Sequence, residues 1–135
     1  QVSAGLYERL ILSREQRLVR GLKDMGAKVR LHICGNITHL LPGIASLGID
    51  VLDVDHMVDL ATVRKAVGSR TAIAGNLDPV TGVMRSNPAA IRRAVLDCYA
   101  RAGNPFMVNA GCEIPSRTPL ENLKALCEPV PYAPG

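Results

Sequence analysis

Two hydrophobic rhythms alternate along the chain. Leu18, Val19, Leu22 and Met25 recur at the interval of a helix. Ser13 followed by Gln16 has the form of a capping box, in which each side chain satisfies the other's free backbone N–H, and Gly26 suits the helix stop. Residues 1–27 therefore read as an N-terminal helical segment. Strand-like runs and helix-like runs then alternate over residues 28–128. Residues 29–34 form a first strand, and Asn36 or Thr38 can cap a helix carrying Leu40, Leu41, Ile44 and Leu47 as far as Gly48. Residues 51–55 form a second strand, after which Asp59 opens a helix with Leu60, Val63 and Val67 that closes at Gly68. Residues 71–74 form a third strand, followed by Gly75-Asn76 and a turn at Asp78-Pro79. Asn87-Pro88 opens a longer helix with Ile91, Val95 and Leu96, stopped by Gly103; proline fits there because a first-turn N–H needs no partner. Residues 106–109 form a fourth strand, and Thr118-Pro119 with Glu121 opens a last helix through a second capping box. The proline-rich tail at 129–135 reads as extended.

Strands that alternate with helices are parallel and joined by right-handed crossovers. The fold class is therefore α/β, either an open layer or part of a (βα)8 TIM barrel. A full barrel takes eight strands and about 250 residues, so these βα units supply half of one, in a single domain over residues 1–135.

Composition narrows the function. Apolar residues make up 47% of the 135, enough for one core, and argue against disorder. The net charge of +4 is mild and dispersed, and aromatic residues are only 3%, so a base-stacking nucleic-acid surface is disfavoured. No apolar run reaches the length of a membrane span; Asp50, Asp53 and Asp55 interrupt the best candidate. No secretory leader is visible, and a start at Gln1 rather than Met fits a piece of a longer protein. Cys34, Cys98, Cys112 and Cys127 lack tight disulfide spacing and read as reduced thiols of a cytoplasmic protein.

Ligands of α/β folds gather at the C-terminal ends of the strands, and all of these strand ends carry polar or reactive residues. His32 and Cys34 are two apart, so on a strand they project from one face and can chelate one ion. Cys112 lies at the equivalent end of the last strand, where barrel closure can bring it near. One histidine with two cysteines suits zinc and leaves the fourth position open, as in a catalytic site; taken alone, the His-x-Cys spacing is more often that of residues packed in a core. The Asp53/Asp55 pair serves either acid–base chemistry or hydrogen bonding to nearby loops. Cys98 and Cys127 stand at apolar helix positions and read as core residues, Met25, Met57, Met84 and Met107 as packing, and His39 as a surface or core residue. Gly75-Asn76 lacks the glycine pattern of a dinucleotide site.

The segments HICGN, LGIDVLDVDH, AGNLDPV and NAGCEIPSRTPLENLKAL resemble the uroporphyrinogen decarboxylase superfamily. They are most similar to its zinc-dependent branch, the corrinoid:thiol methyltransferases that move a methyl group from methylcobamide to a thiol such as coenzyme M. The resemblance runs from about Leu6 to Glu128 and corresponds to the C-terminal half of that family's barrel. It implies zinc on His32, Cys34 and Cys112, with His56 near the loop that can provide a resting fourth ligand. Decarboxylases of the family carry a histidine-containing motif where this chain has Gly111-Cys112-Glu113, which argues for the methyltransferase branch.

The implied reaction is attack of a zinc-held thiolate on the methyl group of a methylcorrinoid, the corrinoid departing as cob(I)amide. Asn36, Asp53, Asp55, Asn76 and Asp78 would line the substrate mouth or orient the ligands. The implied partners are a small-molecule thiol and a corrinoid protein, with a second copy of the chain or a missing N-terminal half completing the barrel. A metal-free, uroporphyrinogen-type decarboxylase and a non-catalytic fragment or assembly domain are the alternatives.

Overall fold

The computed structural model describes residues 2–128; the expected extended tail lies outside them. Helix α1 (Ala4–Tyr7) runs through a π-helical stretch (Glu8–Leu12) into α2 (Ser13–Asp24). Four units follow. They are β1 (Arg30–Ile33) with α3 (Leu41–Ala45), β2 (Val51–Val54) with α4 (Leu60–Val67), β3 (Ala72–Leu77) with α5 (Pro88–Ala102), and β4 (Phe106–Ala110) with α6 (Leu120–Leu126). The strands form one parallel sheet in the order β1-β2-β3-β4. This is the partial α/β barrel that the alternating pattern predicts.

The strand alternation divides the sheet into two unlike faces. Leu52, Val54 and Ile73 are fully buried against the helices, with Leu41, Ile44, Leu60 and Val63. A second apolar cluster under the far end joins Leu77, Val83, Ile91, Val95, Ala110, Ala125 and Leu126. Fully burying one aliphatic side chain of this kind contributes about 1.5–3 kcal/mol, so the helix-facing side holds the layer together. The opposite face carries Arg30, His32, Asp53 and Asn109, linked to one another through the Asp53 carboxylate, and Met107, which is 48% exposed.

Several local expectations are corrected. Ser13 is not a helix cap: the helical path begins ten residues earlier, where the Ser3 hydroxyl accepts from the Leu6 N–H, and Ser13 sits within it at φ −64°. Tyr7, packed on Gly43 and donating to Glu15 Oε2 at 2.5 Å, anchors this earlier start. The second capping box also fails to form, because the Thr118 hydroxyl donates to the Pro115 carbonyl at 2.7 Å and α6 starts after Pro119. β3 continues past residue 74 to Leu77 because Gly75 adopts φ +135° and lies against the Val54 carbonyl, where a Cβ would stand at 2.8 Å. Met25, Met57 and Met107 are 76%, 55% and 48% exposed, so they are not core packing. Cys127 is exposed at the end of α6, whereas Cys98 is half-buried.

Candidate metal centre

The first strand has the alternation that chelation requires. Leu31 and Ile33 pack toward the helices, so His32 and Cys34 share the opposite side. There His32 Nε2 stands 3.2 Å from Cys34 Sγ. The fourth strand delivers the third group. Its ladder with β3 continues one step beyond Ala110, the Gly111 N–H donating to the Leu77 carbonyl at 2.7 Å. Gly111 then rests on the backbone of Asp55 and His56, so closely that a Cβ would fall 2.3 Å from the His56 nitrogen. This contact carries the end of β4 across the mouth, and Cys112 Sγ arrives 3.4 Å from Cys34 Sγ. The ligand atoms of His32, Cys34 and Cys112 all lie within 4.8 Å of one another.

The donor set fits zinc. Two thiolates on a tetrahedral zinc, each about 2.3 Å from it, lie about 3.8 Å apart, a few tenths from the observed sulfur separation. The surroundings favour a cation as well. The Cys34 thiol is pushed up from its ordinary pKa, first by its hydrogen bond to Cys112, then by desolvation and by the negative charges of Cys112, Asp55 and Asp53. A divalent cation among these groups reverses that effect, since thiols coordinate as thiolates.

Asp53 and Asp55 lie beneath the cluster, 4% and 6% exposed. Asp53 Oδ2 faces His32 Nδ1 at 3.2 Å and accepts from Arg30 Nε and Nη2 at 3.2 and 2.5 Å. Its Oδ1 accepts from Asn109 Nδ2 at 3.2 Å. Asp55 Oδ2 accepts from the Gly35 N–H at 2.8 Å, and Oδ1 from the Met57 N–H at 3.2 Å. Sequence reasoning missed Arg30, although alternation places it on the face of His32, and counted Asn109 only among the polar residues that end the fourth strand, with no role of its own.

The remaining candidates stand apart from the three ligands. His56 turns Nδ1 to Asp55 Oδ1 at 2.7 Å and Nε2 toward Asp78 Oδ2 at 3.7 Å, and is not part of the ligand cluster. Asn76 donates to the Asp55 and Val58 carbonyls at 3.0 and 2.7 Å, which staples the loop after β2. Asp78 caps the turn after β3 by accepting from the Val80 and Thr81 N–H groups. His56, Asn76 and Asp78 line a cavity of about 440 Å³ that also reaches Cys98 and Arg101 and contains none of the three ligands. Asn36 is exposed, and its Oδ1 accepts from the Thr38 N–H at 3.1 Å. His39 is exposed with Nε2 2.9 Å from the Val2 carbonyl. No helix among the described residues is long and apolar enough to cross a membrane.

A parallel half-barrel with a His–Cys–Cys cluster able to hold a metal ion at the carboxyl ends of its strands defines an α/β barrel protein with a candidate metal site. The Uroporphyrinogen decarboxylase (URO-D) family model matches residues 1–131, and the chain belongs to that family. Methylcobamide:CoM methyltransferase MtbA of Methanosarcina mazei is 33% identical over 130 residues, covering 94% of this chain and 37% of that protein. Uroporphyrinogen decarboxylase of Dechloromonas aromatica is 33% identical over 135 residues, covering 96% of this chain and 38% of that protein. Among solved structures, a methyltransferase from Methanosarcina mazei superposes with a TM-score of 0.80 at 25% identity, covering 93% of this chain and 36% of the other. The chain thus spans well under half the length of these relatives.

Proposed function

We propose that this chain carries the zinc centre of a methyltransferase that moves a methyl group from a methylcorrinoid to a thiol. The observation that carries the reading is the convergence of His32, Cys34 and Cys112, the two sulfurs coming from positions 78 residues apart. Zinc bound there supplies the positive charge that lowers the proton affinity of a thiol brought to its open position. The chain's own residues contribute placement. His32 and Cys34 offer their donor atoms from one strand face, Gly111 sets Cys112 opposite them, and the buried carboxylates balance the cation's charge. The reaction is a displacement at the methyl carbon: a sulfur–carbon bond forms, the carbon–cobalt bond breaks, and the electron pair leaves on cobalt. The corrinoid is a substrate here, free or on a partner protein. Strands from a second copy or from a longer chain complete the barrel.

The test is zinc content by elemental analysis of protein purified without a metal-binding tag, followed by a thiol-methylation assay. The expected result is equimolar zinc that is lost in Cys112→Ala. No zinc after reconstitution under reducing conditions refutes the reading. A second reading, metal-free decarboxylation of an acidic tetrapyrrole, has one observation in its favour: a protein named a decarboxylase matches at the same 33% identity as one named a methyltransferase. That reading requires tetrapyrrole turnover that survives Cys112→Ala and chelation.

A further inference from the structure

We infer that Asp53 is a positioning residue of this centre, holding the His32 ring with its proton on Nδ1 and tying the strand of His32 to the strand that delivers Cys112. The inference rests on the zinc reading above and deepens it.

The argument begins with the register. In the parallel ladder, His32 stands beside Asp53, so both side chains leave the same face of the sheet. His32 has two ring nitrogens with different neighbours: Nδ1 lies 3.2 Å from Asp53 Oδ2, and Nε2 lies 3.2 Å from Cys34 Sγ. An ionised carboxylate only accepts hydrogen bonds, so a neutral imidazole facing it carries its proton on Nδ1. The lone pair is then on Nε2, the nitrogen that faces the other ligands. A carboxylate behind a ligating histidine fixes tautomer and ring orientation together.

Asp53 is itself immobilised. Arg30, on the strand of His32, donates twice to Oδ2. Asn109, on β4 three residues before Cys112, donates to Oδ1. The carboxylate therefore bonds to both strands that deliver ligands. With 4% of its surface exposed and donors on both oxygens, it is held by the protein's own groups rather than presented to the mouth. Its place in the site is to support His32.

The experiment uses the purified chain, first stripped of metal. Long-range proton–nitrogen NMR at alkaline pH, with His32 assigned through His32→Gln, reads which ring nitrogen is protonated. Nδ1 is expected in the parent and a shift toward Nε2 in Asp53→Ala. A chelator-competition titration with zinc alone is expected to show affinity about 10–100-fold weaker in Asp53→Asn and Asp53→Ala. Asn109→Ala, which touches the carboxylate only at Oδ1, is expected to weaken zinc binding less than Asp53→Ala. A purely structural role would lower the melting temperature without moving the tautomer. Should Asp53→Ala not fold, the parent tautomer and Asn109→Ala carry the test. An Nε2-protonated His32 in the parent overturns the inference, as do folded variants with parental tautomer and zinc affinity. A parent with an Nδ1-protonated His32 but no zinc affinity overturns the zinc reading while supporting the hold of Asp53 on His32.

Discussion

Gly111→Ala adds one methyl group at the tightest backbone approach of the mouth. The new Cβ would stand 2.3 Å from the His56 nitrogen, 2.9 Å from the Asp55 carbonyl carbon and 3.1 Å from the His56 Cα. All of these are main-chain atoms, so no rotamer change relieves the contact. Gly111 does not have a positive φ, so alanine meets no conformational penalty and the effect is steric alone. Ordinary Cβ contact begins at 3.4 Å, so the segments must part from 2.3 Å by about 1.1 Å. Cys112 is the next residue. A retreat of that size takes its sulfur from 3.4 Å toward about 4.5 Å from Cys34, past the span of about 3.8 Å that a tetrahedral zinc bridges. Zinc affinity is expected to fall tenfold or more, on the order of losing ligand orientation, and the fold to lose about 1–3 kcal/mol by overpacking. Gly21→Ala is the control, because a Cβ there meets nothing within 4 Å and the residue lies inside α2. That change is expected to stabilise the chain by about 0.5–1 kcal/mol. Thermal unfolding and zinc competition on both variants provide the assay. A Gly111→Ala protein that melts with the parent and binds zinc as tightly refutes the reasoning.

Arg64 donates to the carbonyls of Ala102, Gly68, Thr71, Gly103 and Pro105 and joins α4 to the turn between α5 and β4. Arg64→Met is expected to lower unfolding stability by about 2–4 kcal/mol through unpaired carbonyls, read by denaturant titration; an unchanged midpoint contradicts this. Asp50 is held down to about 2 from 3.8, first by the Val29 N–H and then by Lys23, with Lys28 adding to it. A folded-state value below the unfolded one contributes stability above the ordinary value that is lost as pH falls from 3.8 toward about 2. The melting-temperature gap between parent and Asp50→Asn is therefore expected to close across that acid window, and a gap constant with pH contradicts it.

The βα order was legible because its signals are local: apolar runs, caps such as Asp59 and Asn87, and glycines after the helices. The candidate pair His32 and Cys34 was legible for the same reason, since strand alternation over two residues decides which way both point. Legibility ended where a side chain's partner comes from a distant element. Ser13 has the letters of a cap, yet packing of Tyr7 on Gly43 extends the helix through it. Asp53 and Asp55 left two roles open because their donors are Arg30, Asn109 and the Gly35 N–H, none of which spacing reveals. His56 resembles a ligand by position, but its ring faces Asp55 and Asp78.

The meeting of Cys34 and Cys112 has an energetic consequence for the fold. β1 and β4 are the outer strands of the layer, and edge strands lack a neighbour on one side. The three candidate ligands come from these strand ends, above two buried aspartates at the end of β2, and the Cys34 pKa is raised first by the hydrogen bond to Cys112, then by desolvation and the negative charges nearby. Without a cation, the hydrogen bond between the Cys34 and Cys112 thiols is what holds the contact that Gly111 enforces. A cation that binds the folded arrangement better than the unfolded chain stabilises it by mass action, and its grip falls on the two strands with the least support. The helix-facing side of the same sheet is built from Leu52, Val54 and Ile73 and needs no such ion. Hydrogen-bonded polar groups on the opposite face are poor material for a core but suitable material for a cation site, and the proposed zinc reading draws on this contrast across one sheet.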